Sequence, residues 1–255
     1  MGYRTEYPPG VPCWVDTMQP DPAAATAFYG GLLGWEFDDG EYRTARLSGR
    51  RVAGVGHAPP GSPAFWATYV RVESLDTALA RAADAGGSVL VGPTGFGADG
   101  TAAAVADPTG VAIGLWEPAA RAGAEVVNEP GAWAMSALHT PDLEAANAFF
   151  ASVFGWEAEP MAGTPLTLLR LPGYEGGEPA QPIPRDVVAV VTVAEGGVPP
   201  HWAVNFRVED VDAVATRALE LGGTLLMPPT DAPGFRNAVI ADPQQGVIAV
   251  SAVVA

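Results

Sequence analysis

The sequence predicts an α+β protein built from four βαβββ units that are arranged in two tandem halves. Three observations predict it: blocks of sequence that occur twice, helices with clear start and stop signals, and short strand segments separated by glycine-containing turns. With 255 residues, the chain is long enough for one large domain or two modest ones. A chain of this size buries roughly 70–75% of its unfolded surface, so its core needs no disulfide or structural metal.

Sequence duplication divides the chain into two halves. Three pairs of segments match between the halves in the same order: 20–36 with 141–157, 65–94 with 201–230, and 106–108 with 241–243. The offsets between the copies are similar, at 121, 136 and 135 residues, which indicates that one plan occurs twice. We therefore predict a first domain over 10–120, a linker over 121–130 and a second domain over 131–255.

Each half is predicted to open with a strand and a helix. The segments 11–18 and 132–139 have the composition of strands. Asp21 follows the first of them and can accept hydrogen bonds from the free amides of a first helical turn, and Gly34 is positioned to end that helix. The equivalent residues of the second half are Asp142 and Gly155.

The rest of each half repeats strand and helix signals in the same order. In the first half, Glu41–Leu47 and Arg51–His57 have the alternating character of strands and are separated by a glycine-containing turn. A strand over Phe65–Val72, a helix over Leu75–Ala85 that ends at two glycines, and short strands that finish with Val111–Trp116 follow. The order of one strand, one helix and further strands, found twice in each half, defines the four βαβββ units.

Composition excludes several classes of function. The 13 basic and 29 acidic side chains give a formal net charge of −16, which repels phosphate, so we expect no nucleic-acid partner. The acidity serves solubility and also permits a cationic ligand. Cys13 is the single cysteine, so no internal disulfide can form. Neither an apolar leader nor an apolar run of membrane-spanning length occurs, so we expect a cytoplasmic protein without a membrane partner, as a monomer or a homodimer.

The first helix of each half carries a recognisable motif. An Asp at the helix start is followed by an aromatic residue and then by Gly-Trp: Asp21, Tyr29 and Gly34-Trp35, with Asp142, Phe150 and Gly155-Trp156 in the second copy. Together with the Gly-Gly helix ends and the Asp-Pro turns at 107–108 and 242–243, this motif resembles the vicinal oxygen chelate superfamily, also called the glyoxalase/bleomycin resistance protein/dioxygenase superfamily. Within it, the chain is most similar to the tandem glyoxalase-like proteins of actinobacteria that carry the label hydroxylase.

The resemblance implies where the binding sites lie. In this superfamily, two βαβββ units form one cup-shaped mixed sheet, with the helices outside and a small molecule on the concave side. Each half of this chain is therefore expected to form one cup. The Gly- and Pro-rich loops at 92–97 and 228–235 occupy equivalent places and are expected to border the mouths of the two cups.

The resemblance also implies how the protein relates to metal ions. Metal-dependent members hold a divalent ion with His, Gln or Glu on the first and last strands of a unit. Carried onto this sequence, the expected ligand positions are Val15, Ala67, Gly114, Ser136, Ala203 and Ala249. Apart from the Ser136 hydroxyl, these side chains cannot bind metal, so the expectation is a metal-independent member with no cofactor. The alternative is a shifted alignment, which would bring His57 or His139 together with a carboxylate.

Alternation along the strands predicts the ligand contacts. Successive side chains point to opposite faces of a sheet, so residues two apart along a strand share a face. If Ala67 and Ala203 face the cups, then the residues two and four positions further along each strand also face them. The predicted ligand-binding residues are Val15, Thr17, Tyr69, Arg71, Ser136, Asn205 and Arg207. An ion pair at the strand end, with Glu73 or Glu209, fits the two arginines equally well. Trp66 and Trp202 fall on the opposite face and are predicted to pack in the core.

Two functions of different class fit these residues. The leading hypothesis is a metal-independent protein that binds a small, largely apolar or aromatic molecule in its cups, in natural-product resistance or metabolism; the negative charge suits a cationic one. The alternative is a metal-free isomerase, cyclase, lyase or ring-opening enzyme, with His57 and Tyr69 as catalytic acid and base and an arginine as oxyanion partner. A surface or signalling protein that has lost catalysis is a third possibility. A binder returns its ligand unchanged, whereas an enzyme alters it.

Overall fold

The computed structural model describes residues 2–176 and 183–254, which contain two sheets of eight strands. The elements of the first half are β1 (Pro12–Gln19), α1 (Pro22–Leu33), β2 (Glu36–Phe37), β3 (Arg43–Leu47), β4 (Arg50–His57), β5 (Phe65–Arg71), α2 (Leu75–Asp84), β6 (Ser88–Gly95), β7 (Gly100–Ala106) and β8 (Ala112–Pro118). Those of the second half are β9 (Trp133–Thr140), α3 (Leu143–Phe154), β10 (Glu157–Pro160), β11 (Thr167–Arg170), β12 (Val187–Val193), β13 (His201–Arg207), α4 (Val211–Glu220), β14 (Thr224–Ala232), β15 (Phe235–Ala241) and β16 (Val247–Val253).

Each sheet joins the strands of two βαβββ units at its centre. The first sheet has the order β2-β3-β4-β1-β5-β8-β7-β6, and the second repeats it as β10-β11-β12-β9-β13-β16-β15-β14. The central strands β1 and β5 are antiparallel, whereas β1 is parallel to β4 and β5 is parallel to β8. The sheets are therefore mixed, and the predicted α+β fold with two tandem halves is confirmed.

The helices begin and end where the sequence predicts. The Asp21 carboxylate accepts hydrogen bonds from the amides of Ala23 and Ala24, at 2.9 and 3.1 Å, and Gly34 ends α1 with a φ of +73°. Only a residue without a side chain adopts such a left-handed backbone at little cost. The second copy uses Asp142 and Gly155 in the same way. No helix in the described ranges has the length and apolar content needed to cross a bilayer.

The two halves pack through the helix-covered faces of their sheets. Tyr29 on α1 lies between them: its hydroxyl accepts a hydrogen bond from the Trp66 indole (3.0 Å) and donates one to the Asp242 carboxylate of the second half (2.7 Å). Phe206 of the second sheet packs against Trp66 and Trp35, with ring centroids 5.2 Å apart in both pairs. The core packing predicted for Trp66 is therefore confirmed, and the core continues across the boundary between the halves.

Two tryptophans link the halves reciprocally. The Trp35 indole donates to the carbonyl of Gly131 at the start of the second half, and the Trp156 indole donates to the carbonyl of Gly10 at the start of the first, both at 2.7 Å. Because a buried indole N–H needs an acceptor, each bond holds the start of one half against the other half. Trp202 is buried beside Trp156, as predicted.

We expect Asp242→Ala to destabilise the protein more than Asp107→Ala. Both residues accept backbone hydrogen bonds in equivalent turns, but only Asp242 also accepts from Gln19 and Tyr29 of the opposite half, at 2.7 Å each. Asp107 in turn accepts one bond from the Thr109 hydroxyl of its own turn, so Asp242 makes one hydrogen bond more than Asp107. Since a hydrogen bond to a charged group contributes about 1.5–3 kcal/mol, the free energy of unfolding should fall by about that much more in Asp242→Ala. Urea unfolding of the two variants measures this difference, and equal losses would contradict the linking role.

Candidate functional site

Strand register identifies the side chains that face each concavity. Residues directly opposite one another on neighbouring strands share a face of the sheet. On the central strands of the first sheet, Asp16 lies opposite Ala67, and Trp14 lies opposite Tyr69. In the second sheet the corresponding pairs are Ala137 with Ala203 and Met135 with Asn205.

The second concavity contains a cavity of about 210 Å³. Its wall is formed by strands from both ends of the second sheet, including β11 and β14, so the sheet curves around it. Most of the wall is apolar, and the polar side chains among its residues are Thr164, Asn205, Asn237 and Ser251. The side-chain oxygen of Asn205 is buried and accepts no hydrogen bond from the described residues. A mainly apolar cavity with a few converging polar groups is the usual form of a small-molecule site.

The first concavity is filled by its own aromatic side chains. Phe96 packs edge-to-face against Tyr42 and Trp116, with centroids 6.0 and 5.9 Å apart. The buried Arg121 guanidinium lies 4.6 Å from the ring centroid of Trp14 and 4.4 Å from that of Trp116. Residues 54 and 114 are glycines, and any Cβ there would overlap the Tyr42 hydroxyl or the Tyr69 ring.

The two concavities differ because bulky residues of the first are smaller in the second. The equivalent pairs, first half before second, are Trp14 with Met135, Tyr69 with Asn205, Phe96 with Ala232, and Trp116 with Ser251. All four residues of the second half lie in the wall of its cavity. Divergence of the two copies at these positions therefore leaves the second concavity open.

A buried carboxylic acid lies on the concave face of the first sheet. Asp16 is only 3% exposed, and its Oδ2 accepts a hydrogen bond from the Tyr42 hydroxyl at 2.9 Å, which in turn accepts one from the Trp14 indole at 2.8 Å. Burial raises the pKa of the Asp16 carboxyl to about 7, against the opposing effect of the Tyr42 and Tyr69 hydroxyls. Its other oxygen, Oδ1, accepts no hydrogen bond within the described part of the chain. Our sequence analysis missed Asp16, although an acidic residue inside an otherwise apolar strand was a visible signal.

The placement of Val15, Thr17 and Ser136 in the cups is wrong. The Ser136 and Thr68 hydroxyls are hydrogen-bonded to each other at 2.7 Å between the two sheets, and Val15 lies opposite Thr68 on that same face. The Thr17 hydroxyl, also on that face, donates to the carbonyl of Phe65. For Val15 and Thr17 the error has a physical cause: β1 is buried on both faces, so its sequence shows no apolar–polar alternation from which to read the direction of its side chains.

The other predicted site residues are distributed over several places. Tyr69 faces the first concavity, and Asn205 lines the cavity of the second. Arg71 and Arg207 lie at the ends of β5 and β13, level with Trp116 and Ser251. Arg71 also lines a cleft beside the N-terminal segment.

The structure does not bring the proposed catalytic pair together. His57 is exposed at the end of β4, level with Gln19. The preceding residue, Gly56, faces Met18 and Tyr42 on the concave side, so alternation directs His57 to the opposite face from Tyr69.

The donor set of the two concavities does not fit a divalent cation. Of the inward-facing positions at the centre of the sheets, Asp16 offers one carboxylate, whereas Ala67, Ala137 and Ala203 have no donor atom. The rings of His139 and His201 stack 4.8 Å apart on β9 and β13, but no group of three or more His, Cys, Asp or Glu side chains suited to a metal occurs in residues 2–176 and 183–254. A metal ion in proteins of this kind takes several such ligands converging on one point.

Comparison with protein families and known proteins agrees with this architecture. Residues 14–115 match the model of the glyoxalase/bleomycin resistance protein/dioxygenase superfamily, and residues 135–250 match that of a glyoxalase-like domain. CFP32 of Mycobacterium tuberculosis, whose name assigns it to the glyoxylases, is 36% identical over 98% of this chain and 97% of its own. The anthracycline biosynthesis protein DnrV of Streptomyces peucetius is 34% identical over 94% of this chain and 92% of its own.

Solved structures show the same fold at lower identity. The Mn(II)-bound glyoxalase of Novosphingobium aromaticivorans superimposes with a TM-score of 0.66 at 19% identity, over 95% of this chain and 82% of its own. The 2,3-dioxygenase LapB of Pseudomonas sp. KL28 gives a TM-score of 0.65 at 14% identity, over 96% of this chain and 93% of its own. The fold and the sequence matches define the class of protein. This chain belongs to the glyoxalase/bleomycin resistance protein/dioxygenase superfamily.

We expect the Asp16 carboxyl to make stability depend on pH with a defined sign. Its pKa is about 7 in the folded protein and near 4 in the unfolded chain, so its contribution is fully present below pH 4 and is lost as the pH rises through 7. Asp16→Asn cannot ionise. The unfolding free energy of the wild type relative to this variant should therefore fall by up to about 4 kcal/mol between pH 4 and pH 8.

A second variant controls for general charge effects. Asp38 is exposed and paired with Arg46, which holds the pKa of the Asp38 carboxyl below its usual value. Its contribution is therefore present at neutral pH and lost on acidification, so Asp38→Asn should reverse the sign of the dependence. Denaturant unfolding at several pH values tests both variants. If the difference in unfolding free energy between the wild type and Asp16→Asn does not change with pH, burial does not raise the pKa of this carboxyl.

Proposed function

We propose that this protein binds a small, largely apolar or aromatic molecule in the concavity of its second half, without a metal ion. The cavity of about 210 Å³ in that concavity is the observation that carries the proposal. Apolar side chains such as Met135, Leu168 and Phe235 supply the contact area, and burying them against a ligand supplies the main driving force.

The polar groups of the cavity orient the ligand. The unpartnered Asn205 oxygen can accept a hydrogen bond from a hydroxyl or ammonium group, and a ligand that supplies this donor removes the cost of a buried acceptor without a partner. Asn237 and Ser251 lie opposite one another on β15 and β16 and offer further hydrogen bonds on the same wall. An aromatic molecule with a polar edge complements this arrangement.

The likeness to DnrV supports a natural product as the ligand. Its name refers to anthracycline biosynthesis, and DnrV matches this chain along nearly its whole length. The net charge of −16 additionally favours a cationic molecule over an anionic one near the mouth of the cavity. Sequestration or handling of such a compound in natural-product resistance or metabolism is the role we assign. The cytoplasmic location and the monomeric or dimeric state stay predictions.

We expect the cationic anthracycline doxorubicin to bind to the wild-type protein. We expect it to bind more weakly when an aromatic residue of the first concavity is introduced at the equivalent position of the second. Ala232→Phe introduces at the cavity the residue found at the equivalent Phe96, and because position 232 is exposed, the fold tolerates it. We expect at least a tenfold weaker Kd for Ala232→Phe and for Asn205→Ala by isothermal titration calorimetry.

Two controls make this measurement specific. Phe96→Ala changes the first concavity and should leave the doxorubicin Kd unchanged. Dialysis against EDTA should also leave it unchanged, because the donor set of the concavity does not fit a metal. Unaltered binding in Ala232→Phe, or loss of binding after EDTA treatment, would overturn the proposed site or its metal independence respectively.

Acid–base catalysis in the first half is a second candidate function, and Asp16 favours it. A carboxyl whose pKa lies at about 7 can both donate and accept a proton at neutral pH, and its Oδ1 lacks a protein partner. Tyr69 faces the same concavity. If displacement of Phe96 from the first concavity admits a compound to it, these two side chains are the acid–base groups, in place of the pair that includes His57.

We expect the variants to separate the two functions. In an enzyme, Asp16→Asn and Tyr69→Phe should each slow conversion at least 100-fold, as is usual when an acid–base group is removed, whereas His57→Ala should have no effect because His57 faces away. Liquid chromatography–mass spectrometry of incubated doxorubicin measures conversion. Recovery of unchanged compound from wild-type protein supports the binding function instead.

A further inference from the structure

Arginines line a cleft outside both concavities. The cleft has a volume of about 420 Å³ and lies between the N-terminal segment 4–7, the start of β4, the end of β5 and the segment 118–125. Arg4, Arg50, Arg51 and Arg71 contribute to its wall, together with the carboxylates of Glu6 and Glu125. Its local balance is thus four positive groups against two negative ones.

This concentration of positive charge contrasts with the rest of the chain. The whole protein has 13 basic side chains and a net charge of −16, and four of the 13 line this one cleft. Neighbouring like charges repel one another unless a counter-charge lies among them. General solubility explains the dispersed acidic residues, but it does not explain a cluster of arginines.

The protein itself satisfies these arginines only in part. Arg51 pairs with Glu125 at 2.9 Å, and the Arg50 guanidinium lies 4.3 Å from the ring centroid of Tyr3. The Arg51 Nε and the Arg71 Nη1 are buried and donate no hydrogen bond to any described residue. A buried donor of a charged group is costly without an acceptor, so these two donors favour an anionic ligand at the cleft.

We propose that this cleft binds a small oxyanion with two or more negative charges, a phosphate or a polycarboxylate. The planar guanidinium groups of arginine match the paired oxygens of both, and a charge-assisted hydrogen bond is about twice as strong as a neutral one. The anion is held mainly by Arg4, Arg50 and Arg71, since Glu125 already engages Arg51.

Binding here also affects the N-terminal segment. Arg4 donates its backbone amide to the carbonyl of Glu125, and the Tyr7 hydroxyl donates to the carbonyl of Ala124, so the segment already lies along the cleft wall. An anion between Arg4 on this segment and Arg71 on β5 ties the segment to the first sheet. The site is separate from the cavity of the second half, and its presence does not depend on the function proposed for that cavity.

The test uses inorganic phosphate and citrate as probes at pH 7.5, with ionic strength held constant by sodium chloride. We expect one or both to bind with a Kd in the millimolar range or tighter by calorimetry and to raise Tm in a saturable way. A phosphate preference assigns the site to phosphate compounds, and a citrate preference assigns it to polycarboxylates. Failure of both to bind beyond the effect of chloride overturns the proposal.

Matched variants locate the site. Arg71→Gln and Arg50→Gln should each weaken anion binding at least tenfold, and because Arg50 is exposed, its replacement leaves the fold intact even if Arg71→Gln does not. Arg217→Gln removes the same charge from the exposed surface of α4 in the second half and should have no effect. Equal losses in all three variants, or no loss in Arg50→Gln, would show that the anion does not bind in this cleft.

Discussion

The back-to-back packing of the two sheets is the constraint on which the rest of the structure depends. Tyr29, Trp66 and Phe206 fill the space between the helix-covered faces, and Asp242 joins the halves through hydrogen bonds to Tyr29 and Gln19. A shift of one residue in β5 or β13 would turn Trp66 or Phe206 away from this core, so the register is strongly specified. With one face of each sheet committed to this core, the other face is left for a concavity.

The side chains that line the two concavities differ, so that one concavity is filled and the other is open. In the first, aromatic side chains pack against each other and against glycines 54 and 114, which replaces ligand contacts with internal ones. In the second, Asn205, Ala232 and Ser251 are too small to fill the same volume. A close-packed interior is more stable than one with a cavity, so an open concavity costs stability that a bound molecule can restore.

Side-chain directions at the site could be predicted from the sequence only on strands with one face more buried than the other. Along β5, side chains alternate between buried and partly exposed, and the direction of Tyr69 was correctly read from the parity of that strand. β1 is buried on both faces, and the directions of Val15 and Thr17 were read incorrectly. The acidic side chain of Asp16 was visible within its strand, but its burial and its hydrogen bond from the hydroxyl of Tyr42, 26 residues away in sequence, were not. Local patterns carry no information about such contacts.

The sequence by itself determined the duplication, the order of helices and strands, and the helix ends at Asp21, Gly34, Asp142 and Gly155, because these depend on contacts between near neighbours in the chain. Only the tertiary structure decided which concavity is open, which strand faces line the concavities, and that arginines from the N-terminal segment, β4 and β5 meet at one cleft. Those properties depend on how residues far apart in sequence share volume and charge. The short-range rules of helix and strand formation do not contain that information.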